Sequence, residues 1–128
     1  MLDFADSLEE NLNEIQLHFD DYQTNCFVER SAEFFCLELN GEAGELANDE
    51  KKKWKGRDIP LEKFADEAAD VFIALMNYSN ARKINLGKAV KIKLHKIEET
   101  RAELAAKGEE YWDSNKQFRH KIKKTAMK

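Results

Sequence analysis

Apolar residues recur every third or fourth position through the first stretch of the chain. Phe4, Leu8, Leu12, Ile15, Phe19 and Tyr22 form one stripe within residues 3–24, the spacing of a single helix face. The same pattern predicts a second helix from about Ser31 to Lys55. Gly56 follows where a helix C-terminus favours glycine, and Lys51, Lys52, Lys53 and Lys55 suit the negative end of the helix dipole. Arg57-Asp58-Ile59 reads as a short turn. Pro60 then falls near the first turn of a third helix, where its missing amide proton costs little. That helix is expected to run to about Arg82 or Lys83. Asn85 is placed to cap a fourth helix, whose stripe is Leu86, Val90, Leu94, Ile97 and Leu104 and which Gly108 ends. The expectation is an all-α fold of four main helices, without internal repeats or low-complexity linkers.

Composition narrows this picture. A chain of 128 residues holds one compact domain rather than two. A core of that size is modest, so pairing with a second copy would help bury apolar surface. One proline, five glycines and 36% charged residues fit a helix-rich protein better than a β-protein. The most apolar segment, Val71 to Ser79, is far shorter than the ~20 residues that span a bilayer. The N-terminus carries Asp3, Asp6, Glu9 and Glu10 where a signal peptide would carry lysines. Cys26 and Cys36 form no CxxC pair and no cluster with histidine, which suits reduced thiols in a cytoplasmic protein. The domain is expected to occupy residues 1–108, with residues 109–128 as a basic C-terminal tail. From Ser114 to Lys128 that tail has six lysines and arginines, no acid, and Phe118. Basic plus aromatic residues are also a nucleic-acid signature, but packing on a neighbouring subunit is the favoured reading.

Charge is unevenly spread. Residues 1–50 carry 14 acids against one base, Arg30, whereas residues 51–128 carry 11 acids and 20 bases. Either oppositely charged helices lie side by side, or the acidic half binds cations while bases hold an anion. The two readings are compatible.

The acidic half contains the segment Glu38-Leu39-Asn40-Gly41-Glu42-Ala43-Gly44-Glu45-Leu46. In a helix Glu42 and Glu45 stand at i and i+3, and Glu38, four residues before Glu42, shares their face. Like charges at this spacing cost helix stability. Gly41 and Gly44 each add a cost of about 0.8–1 kcal/mol relative to alanine. A purely structural helix has little reason to combine both penalties. Glycines let a backbone or ligand come close, and stacked carboxylates offer oxygen ligands to a hard cation. The third helix repeats the device: Glu67 and Asp70 stand at i and i+3 in Asp66-Glu67-Ala68-Ala69-Asp70-Val71, at the edge of an apolar run. A carboxylate there needs a lysine partner or a metal to relieve its desolvation. An all-oxygen ligand set favours magnesium or manganese over zinc. His18, His95 and His120 do not supply the ExxH pattern of di-iron bundles.

At these residues the sequence resembles the MazG-like, all-α nucleoside triphosphate pyrophosphohydrolase superfamily, which includes dimeric dUTPases, dCTP pyrophosphatases and phosphoribosyl-ATP pyrophosphohydrolases. That superfamily shows an ExxE pair on one helix and an ExxD pair on the next. Here they are Glu42-Ala43-Gly44-Glu45 and Glu67-Ala68-Ala69-Asp70, within the words LNGEAGELAN, KKKW and ADEAADVFIALMNY. The resemblance covers roughly residues 31–101. It implies a four-helix, bundle-like MazG-type fold that assembles as a homodimer or homotetramer. It also implies that Glu42, Glu45, Glu67 and Asp70 bind magnesium, with manganese a substitute. Water would attack the α-phosphorus of a nucleoside triphosphate and release a monophosphate and pyrophosphate. Glu42 and Glu38 are both candidates for the general base. Lys51, Lys52 and Lys93 are candidates to meet the phosphates, and Trp54 to stack on the base.

The chain departs from the pattern in places. Many relatives carry a glutamate directly before the first motif residue, where this chain has Gly41. Some pyrimidine-specific relatives have an asparagine in the fourth helix, and the Lys96-Ile97-Glu98 region offers none. Two rivals stand beside the (d)NTP-hydrolysing reading: phosphoribosyl-ATP pyrophosphohydrolysis, and a helical regulatory protein that binds nucleotide without turnover. A third rival is a structural bundle whose acids pair with its lysines. For a bundle this small, Phe72, Met76 and Tyr78 are expected to be partly uncovered in a single copy.

Overall fold

The computed structural model describes residues 2–111 of the chain. They form four helices, α1 (Ala5–Cys26), α2 (Ala32–Trp54), α3 (Leu61–Ala81) and α4 (Leu86–Ala106). There is no strand among the described residues, and none of their helices is long and apolar enough to cross a membrane. The tail residues 112–128, including Phe118 and the basic run, lie outside the described residues.

The helix ends follow local chemistry. The Ser31 hydroxyl accepts a hydrogen bond from the Phe34 amide at 3.2 Å and caps α2. Asn85 does the same for α4, accepting from the Lys88 amide at 3.0 Å. Each satisfies an amide that the first helical turn leaves without a partner. Pro60 stands at the N-cap of α3, just outside the helix rather than in its first turn. At the far ends, Gly56 (φ +95°) and Gly108 (φ +73°) take the left-handed conformation that reverses the chain after α2 and α4.

The helices pack as two pairs. α2 lies against α3, α4 lies mainly against α1, and α1 also touches α3. The α1–α4 contact is close because the buried Gly87 has no side chain: a methyl group there would meet the Glu9 carbonyl oxygen at 2.7 Å. Gln16, buried in the middle of α1, ties this pair to the α3–α4 turn. Its amide donates to the Ile84 carbonyl, its side-chain oxygen accepts from the Leu86 amide, and its own carbonyl accepts from the Asn80 side chain. A buried carboxamide with both ends satisfied fixes register as well as adding stability.

The core is small. Phe35 of α2 and Ala74 and Met76 of α3 are its main apolar members, with Ala5 and Ala32. Met76 is fully buried, which corrects the expectation that it would be partly uncovered. It points into the packed side of α3 together with Ser79, whose hydroxyl bonds back to the Leu75 carbonyl. Phe72 does remain 43% exposed, and Tyr78 is half-buried. The charge asymmetry resolves partly into pairing across helices. Lys91 of α4 meets Asp6 and Glu9 of α1, and Arg82 meets Glu33.

Candidate metal centre

α2 and α3 run antiparallel, so residues pair in reverse order along the seam. Asp49 meets Lys63, Glu45 faces Glu67, Glu42 gathers with Asp70, and Phe35 lines the same cleft as Asn77. The acidic motifs therefore face each other at mid-length because each lies about halfway along its helix.

Three predicted ligands converge. Glu42, Glu67 and Asp70 each offer a carboxylate oxygen, and these oxygens lie within 4.8 Å of one another. The Glu67 side chain is only 12% exposed. Two of the oxygens, Glu42 Oε2 and Glu67 Oε2, are buried without a hydrogen-bond partner. Buried carboxylate oxygens are normally satisfied, and a hard divalent cation takes oxygen ligands in this way. The donor set and its orphaned oxygens thus fit magnesium or manganese.

Glu45 is the fourth predicted ligand. It is more exposed and stands outside the tight trio, but its carboxyl faces Glu67. Burial, followed by the neighbouring Glu45 carboxyl, pushes the Glu67 carboxyl above its usual range, against the opposing pull of Lys63. The repulsion is what a cation would relieve.

Lys63 and Asp49 were not among the residues the sequence singled out. The Asp49 side chain is 4% exposed, and Lys63 Nζ lies 3.1 Å from it and 3.8 Å from Glu67. Asp49 and Glu67 in turn hold the Lys63 ammonium above its usual range, Asp49 the more strongly. A signal existed: Asp49 follows Glu45 by four residues and Lys63 precedes Glu67 by four, so both continue the site faces of their helices.

The other predicted site residues spread along the molecule. Glu38 is exposed one turn before Glu42 and lines a cleft described below. Lys52 lies 3.8 Å from Asp49, whereas Lys51 is an exposed residue of the last turns of α2. Trp54, 64% exposed, ends α2, twelve residues and about 18 Å of helix beyond Glu42. Lys93 stands on α4, which packs mainly on α1, so the single chain does not gather it with the carboxylates. Gly41 and Gly44 face open space: a methyl group on either would meet nothing within 4 Å. No backbone among the described residues uses the close approach they permit.

The trio can hold a cation against an anionic group and leave room for water on the exposed side where Glu45 and Glu38 stand. Comparison of the chain with protein-family models, with curated proteins and with solved structures found no match.

Proposed function

We propose that the chain is a magnesium-dependent nucleoside triphosphate pyrophosphohydrolase of the MazG-like kind, cleaving a (d)NTP to a monophosphate and pyrophosphate. The observation that carries this reading is the convergence of Glu42, Glu67 and Asp70 within 4.8 Å, with two of their oxygens buried and unpartnered. The ExxE and ExxD pairing supports the same reading. In it, Glu42, Glu67 and Asp70 hold the metal, and Glu45 completes the set from the exposed side. The bound metal supplies charge neutralisation for the phosphates and acidification of water. Glu38 and Glu42 are the two candidates to take the water's proton. Lys52 and Lys63 stand beside Asp49 on the α2–α3 seam, and their ammonium groups are the candidates to meet a phosphate oxygen. The role would be to clean or limit a nucleotide pool, and manganese is expected to substitute for magnesium.

A second reading has its own observation. Lys63 already neutralises part of the acidic cluster, as a structural bundle would require. A panel of NTPs and dNTPs with magnesium, scored for monophosphate and pyrophosphate, decides between them. Pyrophosphate release that EDTA abolishes supports the enzyme. Diphosphate with orthophosphate would place attack at the γ-phosphorus and overturn this chemistry, and no turnover of any nucleotide would favour the structural bundle.

A further inference from the structure

Two adjoining clefts, of about 350 and 560 Å³, lie where the end of α1, residues 27–30, the start of α2 and the C-terminal half of α3 meet. They share Gln23, Phe27, Val28, Arg30, Phe35 and Asn77. Both volumes fall in the range of small-molecule sites. Asn77 is 7% exposed, and its side-chain oxygen has no hydrogen-bond partner. Gln16 shows how this fold treats a buried carboxamide when it is structural: both ends are bonded. Leaving one unpaired is costly, and an incoming donor would remove that cost.

The walls suit a flat ring. Tyr22 and Phe27 meet edge to face at 5.3 Å between centroids, Phe34 and Phe35 at 5.6 Å, and the Arg30 guanidinium lies 4.9 Å above the Phe34 ring. Tyr22 and Phe27 are more than half exposed, so their faces are open to stacking. The location is equally specific. Asn77 follows Asp70 by seven residues, two turns on the same face of α3 and about 10.5 Å along its axis. Glu38, one turn from Glu42, lines the larger cleft. A group held at the carboxylates and a ring held at Asn77 are thus separated by roughly the length of a nucleoside monophosphate.

We infer that this cleft takes the nucleobase of a nucleotide, stacked against Tyr22, Phe27 or Phe34, with the Asn77 carboxamide reading the base edge. The inference rests on the nucleotide reading above but concerns different residues. A carboxamide presents a donor beside an acceptor and pairs in two-point fashion with a base edge that does the reverse, while aromatic stacking tolerates any base. Asn77 would then supply the discrimination and the aromatics the affinity. Base stacking is thereby assigned to the Phe35 end of the hairpin and not to Trp54 at the other.

The test uses the full chain in EDTA, where the carboxylates hold no metal. Binding of AMP, GMP, CMP and UMP is followed by calorimetry, with ribose 5-phosphate as the control lacking a base. At least one monophosphate is expected to bind about tenfold or more tighter than ribose 5-phosphate. Asn77→Ala should weaken that monophosphate by about tenfold and narrow the spread among the four bases. Tyr22→Ala, at an exposed side chain that can be removed without harming the fold, should weaken all four alike. Equal binding of ribose 5-phosphate and the monophosphates overturns the inference, as does binding by none of them or unchanged binding in both variants. Base-selective binding without magnesium-dependent turnover would sink the catalytic reading alone. Turnover without base-dependent binding would sink this one alone.

Discussion

A carboxylate buried beside another carboxylate is held in its charged form only at a cost, and either a proton or a cation can remove it. Glu67 is in that position. Glu67→Gln and Asp70→Asn are therefore expected to leave the metal-free fold at least as stable as wild type while abolishing turnover. The loss should exceed the roughly 10–100-fold that removal of an outer partner of a metal site costs. Thermal melts in EDTA and in magnesium, beside an assay, check this. A variant less stable than wild type in EDTA, with an unchanged magnesium response, would mean that the carboxylates serve ion pairs instead. The pH dependence has a definite sign. Glu67 has a folded pKa above its ordinary value of 4.5. The native state thus binds the proton more tightly than the unfolded chain and loses stability as pH rises from 4.5 through the raised value. In EDTA, the stability advantage of Glu67→Gln over wild type should be small near pH 4.5 and grow toward neutrality. An advantage that shrinks with rising pH would contradict the raised pKa.

At the scale of the helix, Gly41 and Gly44 sit inside α2 with open space where side chains would be. Alanine at either position should stabilise the metal-free protein by about 0.8–1 kcal/mol, since nothing among the described residues resists the added methyl. Chemical denaturation measures it, and a loss of stability would reveal something packed on that face. The helices themselves were legible because their ends carry strong local chemistry: Ser31 and Asn85 as caps, Gly56 and Gly108 as reversals, Pro60 as a start. The convergence of Glu42 with Glu67 and Asp70 was legible for a related reason, since each motif lies mid-helix and a short turn folds one helix back on the other. Which helix packs on which was not legible. α4 carries an apolar stripe that suits several partners, and the choice of α1 depends on the close approach at Gly87 and on Gln16, neither visible as a periodic signal. The burial of Met76 and the unpaired state of Asn77 escaped for the same reason, being set by the register between helices.

The molecule as a whole leaves much apolar surface in water. Leu61 is 77% exposed, Leu37 74% and Trp54 64%. A groove of about 360 Å³ between α1 and α3 is walled mainly by Phe4, Leu8, Leu12, Ile15 and Phe72, with Ser7 and Asn11 the polar residues in its lining. Contiguous apolar surface of this kind marks association, and a core this modest gains from it. Light scattering is expected to report a dimer or tetramer at micromolar concentration, and a charge placed in the groove, as in Ile15→Glu, should shift the population toward the monomer. A wild-type chain that is monomeric under those conditions would refute this.

Every carboxylate of the candidate centre, the lysine that joins Glu67 to Asp49 and the asparagine of the adjoining cleft belong to the single hairpin of α2 and α3. Such contacts between near neighbours in the chain require little loop closure and form early, whereas docking of α1 on α4 joins segments from opposite ends of the sequence. A cation at the hairpin would therefore bind not only the native state but also partly opened forms in which α1 and α4 have separated from it. Its stabilisation would be distributed, protecting the hairpin fully and the outer helices little. Amide hydrogen exchange with and without magnesium should show added protection concentrated in α2 and α3, and equal protection reaching α4 would mean that the cation needs the entire fold. On heating, the metal-loaded protein would then lose its outer pair first and pass through a hairpin still closed around its ion.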